Sequence, residues 1–255
     1  MAIFESWRGL WLIAASLIAG ALNAVAGGGS FLSFPALLGA GVLPVQANAT
    51  NTVALWPGQA TSIAGYLHKV RQNRGLLLPA CSAAAVGGLA GAILLLHTGQ
   101  ATFMALVPWL LLFATVLFAA SAPISRWLEG RATEPAHRTA PISLWAGIAV
   151  ICVYIGYFGA GAGFLLMSVF ALFGMEDIHK INALKVVTTT VANGIAVLAF
   201  IAGRKIEWRY CLLMMAAAAV GGFLGARFSQ RLNPLFLRVA IVLIGLGMAA
   251  YFFYA

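Results

Sequence analysis

Ala26-Gly27-Gly28-Gly29-Ser30-Phe31 interrupts an apolar run that begins near residue 9, and Gly159-Ala160-Gly161-Ala162-Gly163-Phe164 interrupts a second run in the other half of the chain. Glycine in a helix interior costs about 1 kcal/mol relative to alanine, so three in succession mark a helix that stops. Each break is followed by a short apolar segment of about 13 residues. At 1.5 Å per residue such a segment rises about 20 Å, less than the roughly 30 Å of a bilayer core. It must either reverse inside the protein or form half of a broken helix. Bare backbone at membrane depth is tolerated only when it is buried in protein or lines a water-filled cavity. The glycines therefore predict a cavity.

Composition makes the membrane the setting. Charged residues are 8% of the 255 and hydrophobic ones 62%, and the mean hydropathy is +0.97. Soluble domains carry about 25% charge, so this chain cannot clothe a water-facing surface. Alanine and leucine dominate, and the alternating pattern of a membrane barrel is absent. The net charge of +9 comes from basic residues set mostly between apolar runs. Loop charge of that kind orients membrane proteins and argues against a nucleic-acid partner. Cys81, Cys152 and Cys211 stand alone in apolar segments, matching neither a metal spacing nor a disulfide framework.

Five apolar segments fill the first half, at about 9–26, 30–43, 50–67, 76–96 and 101–120, and five the second, at about 143–158, 163–175, 182–203, 210–230 and 235–253. The first resembles a signal peptide, with Arg8 ahead of it and Ala24-Val25-Ala26 at its end. Its counterpart in the second half makes a mature membrane helix the better reading. The expected organisation is a first membrane repeat over 1–120, a linker loop over 121–141 and a second repeat over 142–255. Phe31 falls on Phe164 at an offset of 133. After a one-residue gap, Asn48-Ala49 falls on Asn182-Ala183, Gln59 on Asn193, Gly87-Gly88 on Gly221-Gly222 and Gly91-Ala92 on Gly225-Ala226. Matched amides and a shared GG-x-x-GA at one offset indicate an internal duplication. The fold class expected is an all-α polytopic membrane protein with two homologous repeats of about five segments, each holding a glycine-broken or re-entrant short helix.

Loop charge does not orient the repeats. If all five segments of each half cross, the halves are inverted, and Arg8, Arg204, Lys205 and Arg209 oppose the ten other loop cations. If the short segments are re-entrant, the halves are parallel, and Lys180, Arg227, Arg231 and Arg238 oppose the rest. Both arrangements satisfy the positive-inside rule equally.

Lys185 is the first residue that could carry chemistry. It lies near the start of the eighth segment, where a buried cation costs at least about 2.5–3.5 kcal/mol and so faces a partner or a polar path; the plainer reading is a lysine that snorkels from a helix start. Amides and hydroxyls form a second set: Asn48, Thr50, Asn51, Thr52 and Gln59 on segment three, Asn182, Thr188, Thr189, Thr190 and Asn193 on segment eight. Single threonines are usually interhelical glue, whereas Gln59 and Asn193, at equivalent places, favour a site. The breaks form the third set: Asn23, Gly28, Gly29 and Ser30, with Tyr154, Gly161 and Gly163 opposite. A helix starting after a break offers backbone N–H groups to an anion, and broken helices commonly hold the substrate of duplicated transporters. Gly87, Gly88, Gly91, Gly221, Gly222 and Gly225, at small-xxx-small spacing, belong instead to close helix packing. The acids Glu5, Glu129, Glu134, Glu176, Asp177 and Glu207 lie at loops or ends, and the four histidines at segment edges. A lysine among donors, without buried carboxylates, predicts an anionic substrate.

Asn23-Ala24-Val25-Ala26-Gly27-Gly28-Gly29-Ser30-Phe31-Leu32-Ser33-Phe34-Pro35, followed by Ala47-Asn48-Ala49-Thr50-Asn51-Thr52, closely resembles the TauE/SafE family of bacterial permeases, also called TSUP transporters. Gly159–Phe164 and Asn182-Ala183-Leu184-Lys185 resemble the family's second repeat, although Gly163 stands where the first repeat has Ser30. The resemblance implies a multi-pass carrier of the bacterial inner membrane for sulfite, sulfonates such as sulfoacetate, or related anions. The reading is thus a secondary transporter of a small sulfur-containing anion working by alternating access. Its partners are that anion, a coupling ion or proton and the bilayer, with no cofactor. An anion channel is the nearest rival. An intramembrane enzyme would need HExxH, GxSxG or a like constellation, and the sequence contains neither.

Overall fold

The computed structural model describes residues 7–26, 28–129, 142–173, 175, 178–228 and 234–254, and the regular elements among them are all helical. In chain order they are α1 (Trp7–Ala26), α2 (Ser30–Gly39), α3 (Pro44–Ser62), a 3₁₀ turn (Ile63–Tyr66), α4 (Leu67–Gln72), α5 (Arg74–His97), α6 (Gln100–Glu129), α7 (Ile142–Tyr157), α8 (Ala162–Leu172), α9 (Ile178–Ala202), α10 (Trp208–Phe228) and α11 (Pro234–Tyr254). Helices satisfy every backbone group within the segment, which an apolar medium demands. Arg74–His97, Gln100–Ala120 and Lys180–Ala202 are long and apolar enough to cross a membrane. Leu78, Trp109, Val150, Leu198 and Phe223 are large, apolar and exposed, as expected of side chains that meet lipid. The chain is an all-α, multi-pass membrane protein.

Several helices outrun the expected segments. α3 starts at Pro44 rather than near residue 50, because proline's missing N–H is no loss in a first turn. The Val45 N–H, an orphan of that turn, donates to Gln100 Oε1 at 2.8 Å. Asn48, Thr50 and Asn51 consequently lie inside the helix and are buried. α9 starts at Ile178, so Lys185 stands seven residues, about 10 Å of rise, past its first residue. It is not at a helix start. α6 continues to Glu129, so the expected linker is helical through its first nine residues; 130–141 lie outside the described residues. The short helices α2 and α8 have 10 and 11 residues, roughly half a bilayer core in rise.

The chain forms two compact units, Met1–Gly58 with Leu96–Val116 and Phe200–Ala255, and Gln59–Leu95 with Leu117–Ala199. Each unit draws on both halves of the sequence. In the first, α10 packs along α1 with backbones in contact. A Cβ on Gly20 would fall on the Ala218 carbonyl, and one on Gly221 would fall on the Leu17 carbonyl oxygen. Phe34 of α2 meets Phe103 of α6 edge-on at 6.3 Å. In the second unit α5 packs on α7 and α9 by the same means. A Cβ on Gly87 would strike the Ala149 carbonyl, one on Gly91 that of Val153 and one on Gly156 that of Gly88, while one on Gly88 would lie 2.5 Å from the Ala192 carbonyl oxygen. Leu144, Ile148, Leu166, Phe170 and Leu184 of α7, α8 and α9 fill the core beside these contacts. Gly87 and Gly221, 134 residues apart, both abut the first long helix of the opposite half.

Gly222 differs from its neighbour, since a Cβ there would meet the Gly20 oxygen at an ordinary 3.7 Å. Gly221→Ala should lower stability by about 1–3 kcal/mol through overpacking, while Gly222→Ala should leave it unchanged, both read from thermal unfolding of purified protein in detergent.

Candidate functional site

The two glycine breaks are made by different physics. Gly29, the residue before α2, has φ −59° and ψ −36°, ordinary helical values. It must be glycine for space, because a Cβ would strike the Ala19 carbonyl and come within 3.2 Å of Asn23 Cγ. Gly28 is held against Ile241, whose side-chain atoms lie 3.1 Å from where its Cβ would be. The second break turns on dihedrals: Gly159 has φ +77° and Gly161 φ +72°, left-handed values that side chains with a Cβ resist.

The first break closes on itself. The Gly29 N–H donates to Asn23 Oδ1 at 3.3 Å, and the N–H groups of Leu32 and Ser33 both reach the Gly29 carbonyl at 3.1 Å. Ser33 Oγ donates to Asn51 Oδ1 at 2.5 Å, and Asn51 Nδ2 donates to Ser30 Oγ at 3.2 Å. Asn51 on α3 thus clamps the first turn of α2. The expectation of free backbone N–H groups at this break is corrected in that respect: the Gly29, Leu32 and Ser33 amides are already used. A neutral polar cluster with its members paired rigidifies its surroundings.

The second break is built around a cation. Tyr154 on α7 donates its hydroxyl to the Ala160 carbonyl at 2.8 Å, pinning the loop that leads into α8. Lys185 on α9 reaches across to α8, where its Cδ lies 3.5 Å from the position a Gly163 Cβ would take. Its Nζ donates to Asn182 Oδ1 at 3.0 Å and approaches Met167 Sδ at 3.8 Å. Both partners are uncharged. Glu176 and Asp177 lie outside the described residues. Thr189 Oγ1 turns back onto the Lys185 and Val186 carbonyls at 2.8 and 3.1 Å, so its hydroxyl serves its own helix. Asn193 Nδ2 donates to Gln59 Oε1 at 2.8 Å, a direct bond between the two amides matched by the internal offset.

Of the predicted residues, Asn23, Gly28, Gly29, Ser30 and Asn51 gather in the first unit, and Gln59, Tyr154, Gly161, Gly163, Lys185, Thr189 and Asn193 belong to the second. Two contributors, Ser33 and Met167, were not among the residues singled out in the sequence, whereas Asn182 was named there among the amides of segment eight. Ser33 stands one turn after Ser30, and Asn182 one turn before Lys185, spacings that put each pair on one helix face. Met167 carries no sequence signal. Thr188, one turn beyond Lys185, is fully buried and its hydroxyl has no hydrogen-bond partner among the described residues.

The profile of the family described as Sulfite exporter TauE/SafE matches residues 12–252. The chain belongs to the TauE/SafE family. It is 24% identical to a "Probable membrane transporter protein ORF9" of Sinorhizobium sp, over 94% of this chain and 90% of that one. It is 26% identical to "Probable membrane transporter protein YfcA" of Escherichia coli K12, over 94% and 87%. A "Probable membrane transporter protein" of Haemophilus influenzae is 25% identical over 95% and 93%. No solved structure matches. This TauE/SafE chain is therefore a membrane transporter, and both glycine breaks fall inside the matched span.

Unequal breaks should respond unequally to substitution. Gly161→Ala should cost about 1–2 kcal/mol through its left-handed φ, whereas Gly163→Ala, inside α8 and free of clash, should be neutral or stabilising by up to about 1 kcal/mol. Asn51→Ala, which removes the bonds to Ser30 and Ser33 and leaves Ser33 Oγ only the Gly29 carbonyl at 3.1 Å, should cost about 1–3 kcal/mol. Thermal unfolding of the three variants against the parent reads all of these outcomes.

Proposed function

We propose that this transporter carries a small sulfur-containing anion, such as sulfite or a sulfonate, across the bacterial inner membrane as a secondary carrier working by alternating access. The observation that carries the reading is Lys185. Its ammonium stands two turns into an apolar helix, held at 3.0 Å by a neutral amide. A cation at that depth is expensive, and a sequence keeps it where an anion compensates it. The ammonium offers three donors, of which Asn182 takes one. Sulfite and sulfonate oxygens are strong acceptors for charge-assisted hydrogen bonds of about 2.7–2.9 Å. The family description supports the sulfur chemistry. Gly161, Gly163 and Tyr154 shape the approach of α8 to Lys185, and the Gln59–Asn193 pair supplies neutral donors further along α9 and on α3.

Lys185→Gln shortens the side chain by one atom, keeps it polar and removes its charge. Uptake of labelled sulfite into proteoliposomes should fall at least about tenfold, the equivalent of roughly 1.4 kcal/mol, with unfolding temperature preserved. Undiminished uptake in that variant would refute the anion seat. Flux that saturates with sulfite and follows an imposed ion gradient is expected of a carrier; flux linear in concentration would instead favour a channel.

A further inference from the structure

We infer that Asn182 is the residue that sets the sign of the site: it holds the Lys185 ammonium in place without cancelling its charge. The inference rests on the anion-seat reading and goes one residue beyond it.

Asn182 and Lys185 are three residues apart on α9, so their side chains share a face. Asn182 Oδ1 accepts from Lys185 Nζ at 3.0 Å. A carboxylate in that place would have the same shape and would make the same contact as an ion pair, the usual way of paying for a buried cation. The chain uses the amide instead. The ammonium is directed and one of its protons is satisfied, and among the described residues no hydrogen-bond partner cancels its charge. The other neighbour, the Met167 thioether at 3.8 Å, is a weak acceptor that also leaves the charge intact.

The first unit supplies an internal comparison. At the matching offset of 134, Asn48 corresponds to Asn182 and Asn51 to Lys185, and Ser30 corresponds to Gly163 at the offset of 133. Asn51 touches the start of α2, and Lys185 the start of α8, so the two residues occupy like positions against their short helices. In the first unit that position is an amide already bonded to Ser30 and Ser33. The charge is thus confined to the second unit, and its sign depends on what stands at residue 182. An anionic ligand bound to another proton of the same ammonium would have its oxygens roughly 5 Å from a repelling carboxylate if residue 182 were acidic, an interaction that weakens binding in a low-dielectric setting.

The test compares Asn182→Asp with Asn182→Ser in the full-length protein, using thermal stabilisation by sulfite, sulfate and sulfoacetate as the readout and the anion that most stabilises the parent as the probe. Asn182→Asp should weaken binding by at least about tenfold while leaving the unfolding temperature without ligand equal or higher, because an ion pair has formed. Asn182→Ser, which keeps a neutral acceptor, should bind within about threefold of the parent, less than 1 kcal/mol. Asn182→Asp binding like the parent, or Asn182→Ser losing as much as Asn182→Asp, would overturn the role of Asn182. The Lys185→Gln variant run beside them separates the two levels. If it loses binding while Asn182→Asp keeps it, the seat stands and the sign-setting role falls. If it keeps binding, or if none of the anions stabilises the parent, the seat itself falls and the inference with it.

Discussion

Backbone against backbone is the constraint on which the rest of the structure depends. Where Gly221 meets the Leu17 carbonyl, or Gly91 that of Val153, no side chain intervenes. Helices that close gain dispersion contact along their whole length, and this is the main attraction available where lipid tails compete equally for apolar side chains. Such contacts hold α10 on α1 and α5 on α7. They leave α1 and α7 fixed at the ends where each gives way to its short helix. A break in a helix is tolerable only if something else fixes the two pieces. Here the small-residue seams fix one piece, while Asn51 and Tyr154, in their respective units, fix the other.

The two breaks then diverge. Asn51 spends its amide on two serines of α2, and the result is a closed, neutral knot. Lys185 stands against α8 with an amide and a thioether as its hydrogen-bond partners among the described residues. Two positions 134 residues apart therefore differ: Asn51 is a brace in one unit, and Lys185 is a lysine against the short helix of the other. Burying an ammonium costs several kcal/mol even after relaxation, and among the described residues its hydrogen-bond partners are both neutral. That uncompensated cost is the physical ground for proposing Lys185 as the anion seat.

Much of this was legible in the sequence, and for definite reasons. The glycine runs forecast where α1 and α7 end, because glycine weakens a helix whatever surrounds it. Gly87, Gly88, Gly91 and Gly221 announced the seams through their spacing. Gln59 and Asn193, matched only by offset, turned out to be bonded to each other. The helix ends were less legible: hydropathy marks where apolar residues stop, and the termini at Pro44, Ile178 and Glu129 show that helices run past that point, at Pro44 with Gln100 taking up the Val45 N–H. The composition of the compact units was not legible at all, since pairing α10 with α1 depends on tertiary contact and not on local pattern. Gly29 and Gly161 read alike as letters, yet one is required by a neighbour's carbonyl and the other by its own φ. Asn182 was visible as an amide, but its role depends on a distance of 3.0 Å to Lys185 Nζ.

The central claim is that the Lys185 ammonium is the seat of an anion, and an experimental structure with selenite, a heavier stand-in for sulfite, tests it most directly. Anomalous density from selenium should place the anion with an oxygen about 2.7–2.9 Å from Lys185 Nζ, beside Asn182 and the start of α8. Selenium density located only elsewhere, with Lys185 Nζ paired to a carboxylate of the chain, would contradict the account.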